Sequence, residues 1–203
     1  MNDISAYGSE VDAALTDHQQ RMTEALDAFN ACGPVLAQAA SLLVRTLRAG
    51  NKVMVAGNGG SAAEAQHFSA ELIGRFLRDR DPYAALALTT DSSILTAVGN
   101  DYAYDDVFSR QVAGLGRPGD LFIAYSTSGE SENLIRAADV AKSLDIGVVA
   151  ITGPRPSRLG DIADLAIMAP ASTTPVVQEL HMAITHLLCE IAERELSAAG
   201  SHV

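Results

Sequence analysis

His67 and Glu71 stand four residues apart, a spacing that puts an imidazole and a carboxylate on one face of a helix. Such a pair can hold a metal ion jointly, or it can be a surface ion pair. Further along, Gln178, His181 and His186 recur within one helix-patterned stretch. Gln178 and His186 are eight residues apart, roughly 12 Å along a helix axis. To share one ion, their side chains must converge, the first turn must distort, or two subunits must contribute. His181 on its own reads as a core or interface residue, and Glu190 lies i+4 from His186 and could pair with it. His18 and a tail residue, His202, complete the five histidines.

Two loops could hold an anion. Ser126-Thr127-Ser128-Gly129-Glu130-Ser131 sets four hydroxyls within six positions, between an apolar run and a helical pattern. A helix start presents unpaired N–H groups and about half a positive charge. Capping that helix needs one Ser or Thr, so four hydroxyls point to an oxyanion site. The second loop, Gly57-Asn58-Gly59-Gly60-Ser61-Ala62, fits G-x-G-x-x-A. A dinucleotide site also wants an acidic residue about 20 positions on, at the end of the second strand. Asp79 and Asp81 precede that strand and Asp91 comes too late. The glycine-rich turn is therefore expected to close over a smaller ligand, with Ser61 as a further donor.

The elements that must position these loops alternate. Short apolar runs at 52–56, 84–88, 120–125, 146–151 and 165–168 are separated by helical patterns, notably 62–77, 132–144 and 175–196. Strands apolar on both faces, interleaved with helices, predict a three-layer αβα sandwich around a doubly wound parallel sheet of about five strands. Ligands in such folds sit beyond the carboxyl ends of the strands, which selects the two loops above. Residues 1–50 read as a helical extension: two amphipathic helices, broken at Cys32-Gly33-Pro34, available for oligomerisation. The 203 residues make one domain.

Asp+Glu 25 against Lys+Arg 14 leave a net charge of −11, which argues against nucleic acid and against an anionic membrane surface. Phosphate is not excluded by that charge, because hydroxyls and helix-start N–H groups are neutral donors. Cys32 and Cys189 have no disulfide or CxxC pattern and read as buried hydrophobes in a reducing cytoplasm. Met1-Asn2-Asp3-Ile4-Ser5 does not read as a signal peptide, and no apolar run reaches the roughly 20 residues of a membrane span.

Taken together, Gly57-Asn58-Gly59-Gly60-Ser61-Ala62-Ala63, Ala65-Gln66-His67-Phe68, Glu71-Leu72, Leu88-Thr89-Thr90-Asp91, Gly99-Asn100-Asp101, Ser126-Thr127-Ser128-Gly129 and Gln178-Glu179 resemble the SIS family of sugar isomerases. The resemblance spans nearly the whole chain. It implies an aldose–ketose isomerase of a ketoheptose 7-phosphate, working as a homotetramer with active sites between subunits. It implies zinc held by His67, Glu71, Gln178 and His186. It implies substrate contacts from Asn58, Gly59, Gly60, Ser61, Glu71, Asn100, Asp101, Ser126, Thr127, Ser128, Ser131 and Gln178. Catalysis would rest on Glu71 moving a proton between two carbons and His186 serving the oxygens. In one respect the chain departs from many relatives: Thr174-Pro175-Val176-Val177-Gln178 carries no basic residue before the Gln. Other readings stand beside this one. A non-catalytic SIS protein, such as the relative that binds a bacterial replication initiator, looks to lack residues matching Glu71 and His186. A sugar-phosphate sensor usually carries a helix-turn-helix, and this chain shows no basic recognition helix. An isomerase of another phosphosugar remains open.

Overall fold

The computed structural model describes residues 4–197. Met1, Asn2 and Asp3, from the segment weighed as a signal peptide, and His202 lie outside the described residues. In chain order the elements are α1 (Ile4–Phe29), α2 (Gly33–Arg48), β1 (Val53–Gly57), α3 (Gly60–Ile73), β2 (Ala85–Ala87), α4 (Ser92–Asp101), α5 (Ser109–Leu115), β3 (Leu121–Ser126), α6 (Glu132–Ser143), β4 (Gly147–Thr152), α7 (Arg158–Ile162), β5 (Leu165–Met168) and α8 (Thr174–Ser197). The break expected at Cys32-Gly33-Pro34 is a 3-10 turn at Asn30–Cys32, and Pro34 sits in the first turn of α2. A missing N–H costs nothing there.

The five strands are all parallel, in the order β2-β1-β3-β4-β5. The chain winds one way from β1 to β2 and the other way from β3 onward, so the order reverses between β1 and β3. That reversal point is where a doubly wound sheet opens a crevice. Both anion-loop candidates leave from it, one after Gly57 and one after Ser126.

Each central strand is apolar along its length up to the last residue, Ser126 in β3 and Thr152 in β4, because each face meets its own core. Val53 and Val55 of β1, Leu121, Ile123 and Tyr125 of β3, and Val149 and Ile151 of β4 join one cluster with α2, α3 and α8. Met54, Ala56, Phe122, Ala124, Val148 and Ala150, the alternate residues, join a second with α4, α5 and α6. This period of two is the pleat itself. Val176 and Val177 sit with Leu180 and Ala25 in a third cluster that seats α8 on α1. The stretch before Gln178 is thus buried apolar surface and has no charged group to offer.

Toward its N-terminus α1 is less covered: Tyr7, Val11 and Leu15 are 57%, 54% and 62% exposed. No helix among the described residues is long and apolar enough to cross a membrane.

Candidate active site

Helix α3 begins where the chain leaves β1. A side chain at Gly57 would bring its Cβ to 2.3 Å from the Ser61 carbonyl, so only glycine permits this tight entry. From there α3 runs beside α8 in the same direction. The direction follows from four pairings, Gly60 with Gln178, Glu64 with His181, His67 with His186, and Phe76 with Glu193.

The third of these pairings builds a cluster. His67 Nε2 lies 3.1 Å from His186 Nε2 and 3.2 Å from Glu71 Oε1. One ligand atom from each residue lies within 4.8 Å of the other two. The edges of a tetrahedron around a zinc-sized ion with bonds near 2.0–2.1 Å are about 3.3 Å. Two imidazole nitrogens and a carboxylate oxygen at this spacing suit a divalent transition metal. Phe76 stacks on His186 with centroids 5.6 Å apart and planes 29° from parallel, walling one side.

Gln178 does not join that cluster within one chain. Its amide lies against Gly60, where an added Cβ would meet Nε2 at 2.2 Å. It shares a surface cavity with Gly60, Glu64, Pro175, Glu179 and Met182. Gly60 is two helical turns, about 10 Å, before His67. The separation read from the Gln178–His186 spacing therefore persists in the fold, because parallel helices keep their offset.

The hydroxyl loop gathers at the mouth of β3. Ser126 Oγ lies 3.5 Å from Ser128 Oγ and 3.4 Å from Ser131 Oγ, and accepts from Gly129 N at 3.0 Å. Ser131 is the N-cap position of α6, yet its hydroxyl caps no N–H of the helix and lies toward Ser126 instead. Gly129 has φ +68°, and a Cβ there would stand 2.1 Å from Ser157 Oγ. Thr127 is half-buried beside Ser128 in a cavity of about 450 Å³.

Across the reversal point, Asn58 and Asn133 exchange amide hydrogen bonds of 2.9 Å in both directions. Tyr104 donates to Asn58 Oδ1 at 3.1 Å. Ser61 is buried in the first turn of α3, and Gly59 and Gly60 are exposed beside it. Asn100 and Asp101 end α4 exposed and bonded to each other at 2.8 Å; no hydrogen bond ties them to either loop.

Several functional neighbours escaped the sequence reading. The helix expected over 62–77 ends at Ile73, with Gly74 as its C-cap, and Glu193 captures the backbone that follows. Its carboxylate accepts from the N–H groups of Phe76, Leu77 and Arg78 at 3.0, 2.8 and 3.0 Å, and from Arg80 Nε at 3.2 Å. Burial alone would raise its pKa, but these donors outweigh burial and hold it below the ordinary value. Arg80 also donates to the Glu71 carbonyl at 2.8 Å. The set therefore anchors both Phe76 and the turn that carries Glu71. No periodicity marks Glu193, since it contacts residues over 110 positions away.

His181 is fully buried, as expected of a core residue. Its Nε2 faces the Thr152 carbonyl at 3.1 Å and must donate to it, and its Nδ1 meets Glu64 Oε2 at 3.2 Å. This bridge links α3, α8 and β4. His186 does not pair with Glu190, because His67 and Glu71 claim its side. Cys189 lies beneath, and burial, with the nearby Glu71 charge, pushes its thiol up to about 12. Both cysteines are free and buried.

The SIS domain family matches residues 17–153, and this chain belongs to that family. Phosphoheptose isomerases are among its relatives. A phosphoheptose isomerase of Rhodospirillum rubrum is 49% identical over 165 residues, covering 81% of this chain and 88% of the relative. One from Akkermansia muciniphila is 50% identical over 159 residues, covering 78% and 84%. The structure of the phosphoheptose isomerase of Neisseria gonorrhoeae aligns with a TM-score of 0.85 at 37% identity, over 91% of this chain and 99% of that one. The family match takes in both anion loops, His67 and Glu71, but stops before α8.

Proposed function

We propose that this chain is an aldose–ketose isomerase converting sedoheptulose 7-phosphate to D-glycero-D-manno-heptose 7-phosphate. The observation that carries the reading is the convergence of His67, Glu71 and His186 from two helices, within 4.8 Å. Relatives near 50% identity that are named phosphoheptose isomerase support the substrate class.

Isomerisation moves one proton between adjacent carbons and another between their oxygens, and must stabilise enediolate charge. Glu71 takes the proton from C1 of the ketose and returns it to C2. Its Oε1 is held toward His67, which leaves Oε2 for the transfer. One carboxylate can thereby serve as both ligand and base. His186 donates to and accepts from the two substrate oxygens. The face of its ring lies against Phe76, so the imidazole is held in one orientation. Ser126, Ser128 and Ser131, with the start of α6, bind the phosphate. Zinc is the cofactor of this reading: His67, Glu71 and His186 of one copy would hold it, with Gln178 of another as fourth donor, and it would supply Lewis-acid polarisation of the carbonyl.

The same reading makes the protein a homotetramer with sites between subunits, in the cytoplasm. Ser61 and Glu71 are ten residues apart on α3, about 15 Å. Loop and triad of one chain therefore stand at opposite ends of a helix, farther apart than one extended heptose spans comfortably. A triad from one copy beside the hydroxyl loop and Gln178 of another removes that difficulty. The exposed apolar Tyr7, Val11 and Leu15 at i, i+4, i+8 of α1 suit a helix-to-helix contact between copies. Two free buried thiols suit a reducing compartment.

The test is incubation of the purified chain with sedoheptulose 7-phosphate, with and without a chelator, following aldoheptose phosphate. Product that disappears on chelation and in Glu71→Gln supports the reading. No product, from protein that contains no metal, would return the chain to a non-catalytic binding role.

A further inference from the structure

The hydroxyl loop has no cation of its own, yet a chain of net charge −11 must capture a phosphate dianion. The cavity beside the loop holds one. It is lined by Thr127, Ser128, Arg155, Thr173 and Thr174, among others, and has a volume of about 450 Å³. Arg155 is exposed and makes no hydrogen bond, ion pair or ring contact among the described residues. Its neighbours do otherwise: Arg158 pairs with Glu132 at 3.0 Å and Arg136 with Asp106 at 2.8 Å. An unpaired guanidinium at the rim of a hydroxyl-lined cavity is a donor fork without an acceptor.

Its mounting is stiff. Pro154 and Pro156 flank it, so the backbone on either side has fixed φ, and a residue preceding proline is restricted to extended conformations. Little backbone entropy is then lost on binding. The 24-residue helix α8 begins at Thr174 on the same cavity, adding its positive end. One acidic group, Glu130, also lines the cavity, but its Oε1 accepts from Arg158 N at 3.0 Å.

We propose that Arg155 is a specificity-determining residue for the substrate's phosphate, closing on it bidentately from the Pro154–Pro156 arm, with Thr127 and Ser128 of the hydroxyl loop lining the same cavity. This rests on the phosphosugar reading above. It also revises the expectation of a phosphate site built wholly from neutral donors.

The experiment compares wild type with Arg155→Ala and Arg155→Lys in steady-state turnover of sedoheptulose 7-phosphate, and by calorimetry with inorganic phosphate. Arg155→Ala should raise KM and the phosphate dissociation constant about 10-fold, with kcat within about twofold. Arg155→Lys, a point charge without the fork, should fall between. Wild-type kcat/KM should drop as salt rises, and the drop should vanish in Arg155→Ala. Unchanged KM and phosphate affinity in Arg155→Ala would overturn the proposal, as would failure of wild type to bind phosphate. If no variant turns over the sugar but wild type binds phosphate and Arg155→Ala does not, Arg155 stands and the reaction assignment falls.

Discussion

Glu193→Gln removes one charge from a buried carboxylate that joins three segments. Glu193 and Arg80 side chains are only 2% and 6% exposed, so the change strands a guanidinium out of water. Each hydrogen bond to a charged group is worth about 1.5–3 kcal/mol, but the four share one acceptor and do not add. Breaking a buried ion pair costs about 3–5 kcal/mol. The carboxamide keeps one acceptor oxygen, which places the loss at the lower end, about 3 kcal/mol. At about 2–4 °C per kcal/mol for a chain this size, Tm should fall by roughly 6–12 °C. Thermal unfolding followed by circular dichroism measures this. The pH dependence gives a second handle. The folded carboxyl titrates below its ordinary value of 4.5 and the unfolded one near it. Between those values the unfolded chain holds more protons, so the stabilisation is complete above about pH 5 and is lost as pH falls through the folded value. The gap between wild type and variant should therefore close in acid. Well below Tm, freeing Phe76 from His186 removes an aromatic contact of about 0.5–1.5 kcal/mol, so kcat/KM should drop about 2- to 12-fold. A stability loss below about 1 kcal/mol at neutral pH, the scale of a surface pair, or a gap that persists in acid, would refute the reasoning.

Other perturbations test other parts. His181→Ala leaves Glu64 buried without its partner and should cost about 3–5 kcal/mol; denaturant unfolding reads it, and a loss no larger than for an exposed residue would remove the bridge from the account. Gly129→Ala forces a left-handed turn and a clash with Ser157 Oγ, so a loss of about 2 kcal/mol and weaker phosphate binding are expected from melting and calorimetry. Leu15→Asp with Val11→Asp should lower the mass seen by light scattering and abolish turnover together; a monomer that retains full activity would separate the site from assembly. Phe122→Ala, at the centre of the second core, should cost about 3–5 kcal/mol without touching the loops.

Consecutive residues carry the strand runs, since a strand buried on both faces must be apolar at every position, as 121–125 is. They carry the two loops, because glycine and hydroxyls after such a run mark a strand end and helix start whatever surrounds them. They carry the His67–Glu71 pair, because four residues is one helical turn. Tertiary packing decided the rest. Which of Gln178, His181 and His186 would meet His67 depended on the offset of α3 against α8, a quantity written in no local pattern. The fold set it at His186, left Gln178 against Gly60, and put His181 in the core with Glu64. The end of α3 at Ile73 has a local mark, Gly74 at its C-cap, which the expected span of 62–77 passed over; the path of 76–78 beyond it was invisible, since Glu193, far along the chain, takes those N–H groups. Backbone periodicity is a local property and is read from neighbours. The meeting of side chains from separate elements is set by how whole faces pack, and only the folded chain shows it.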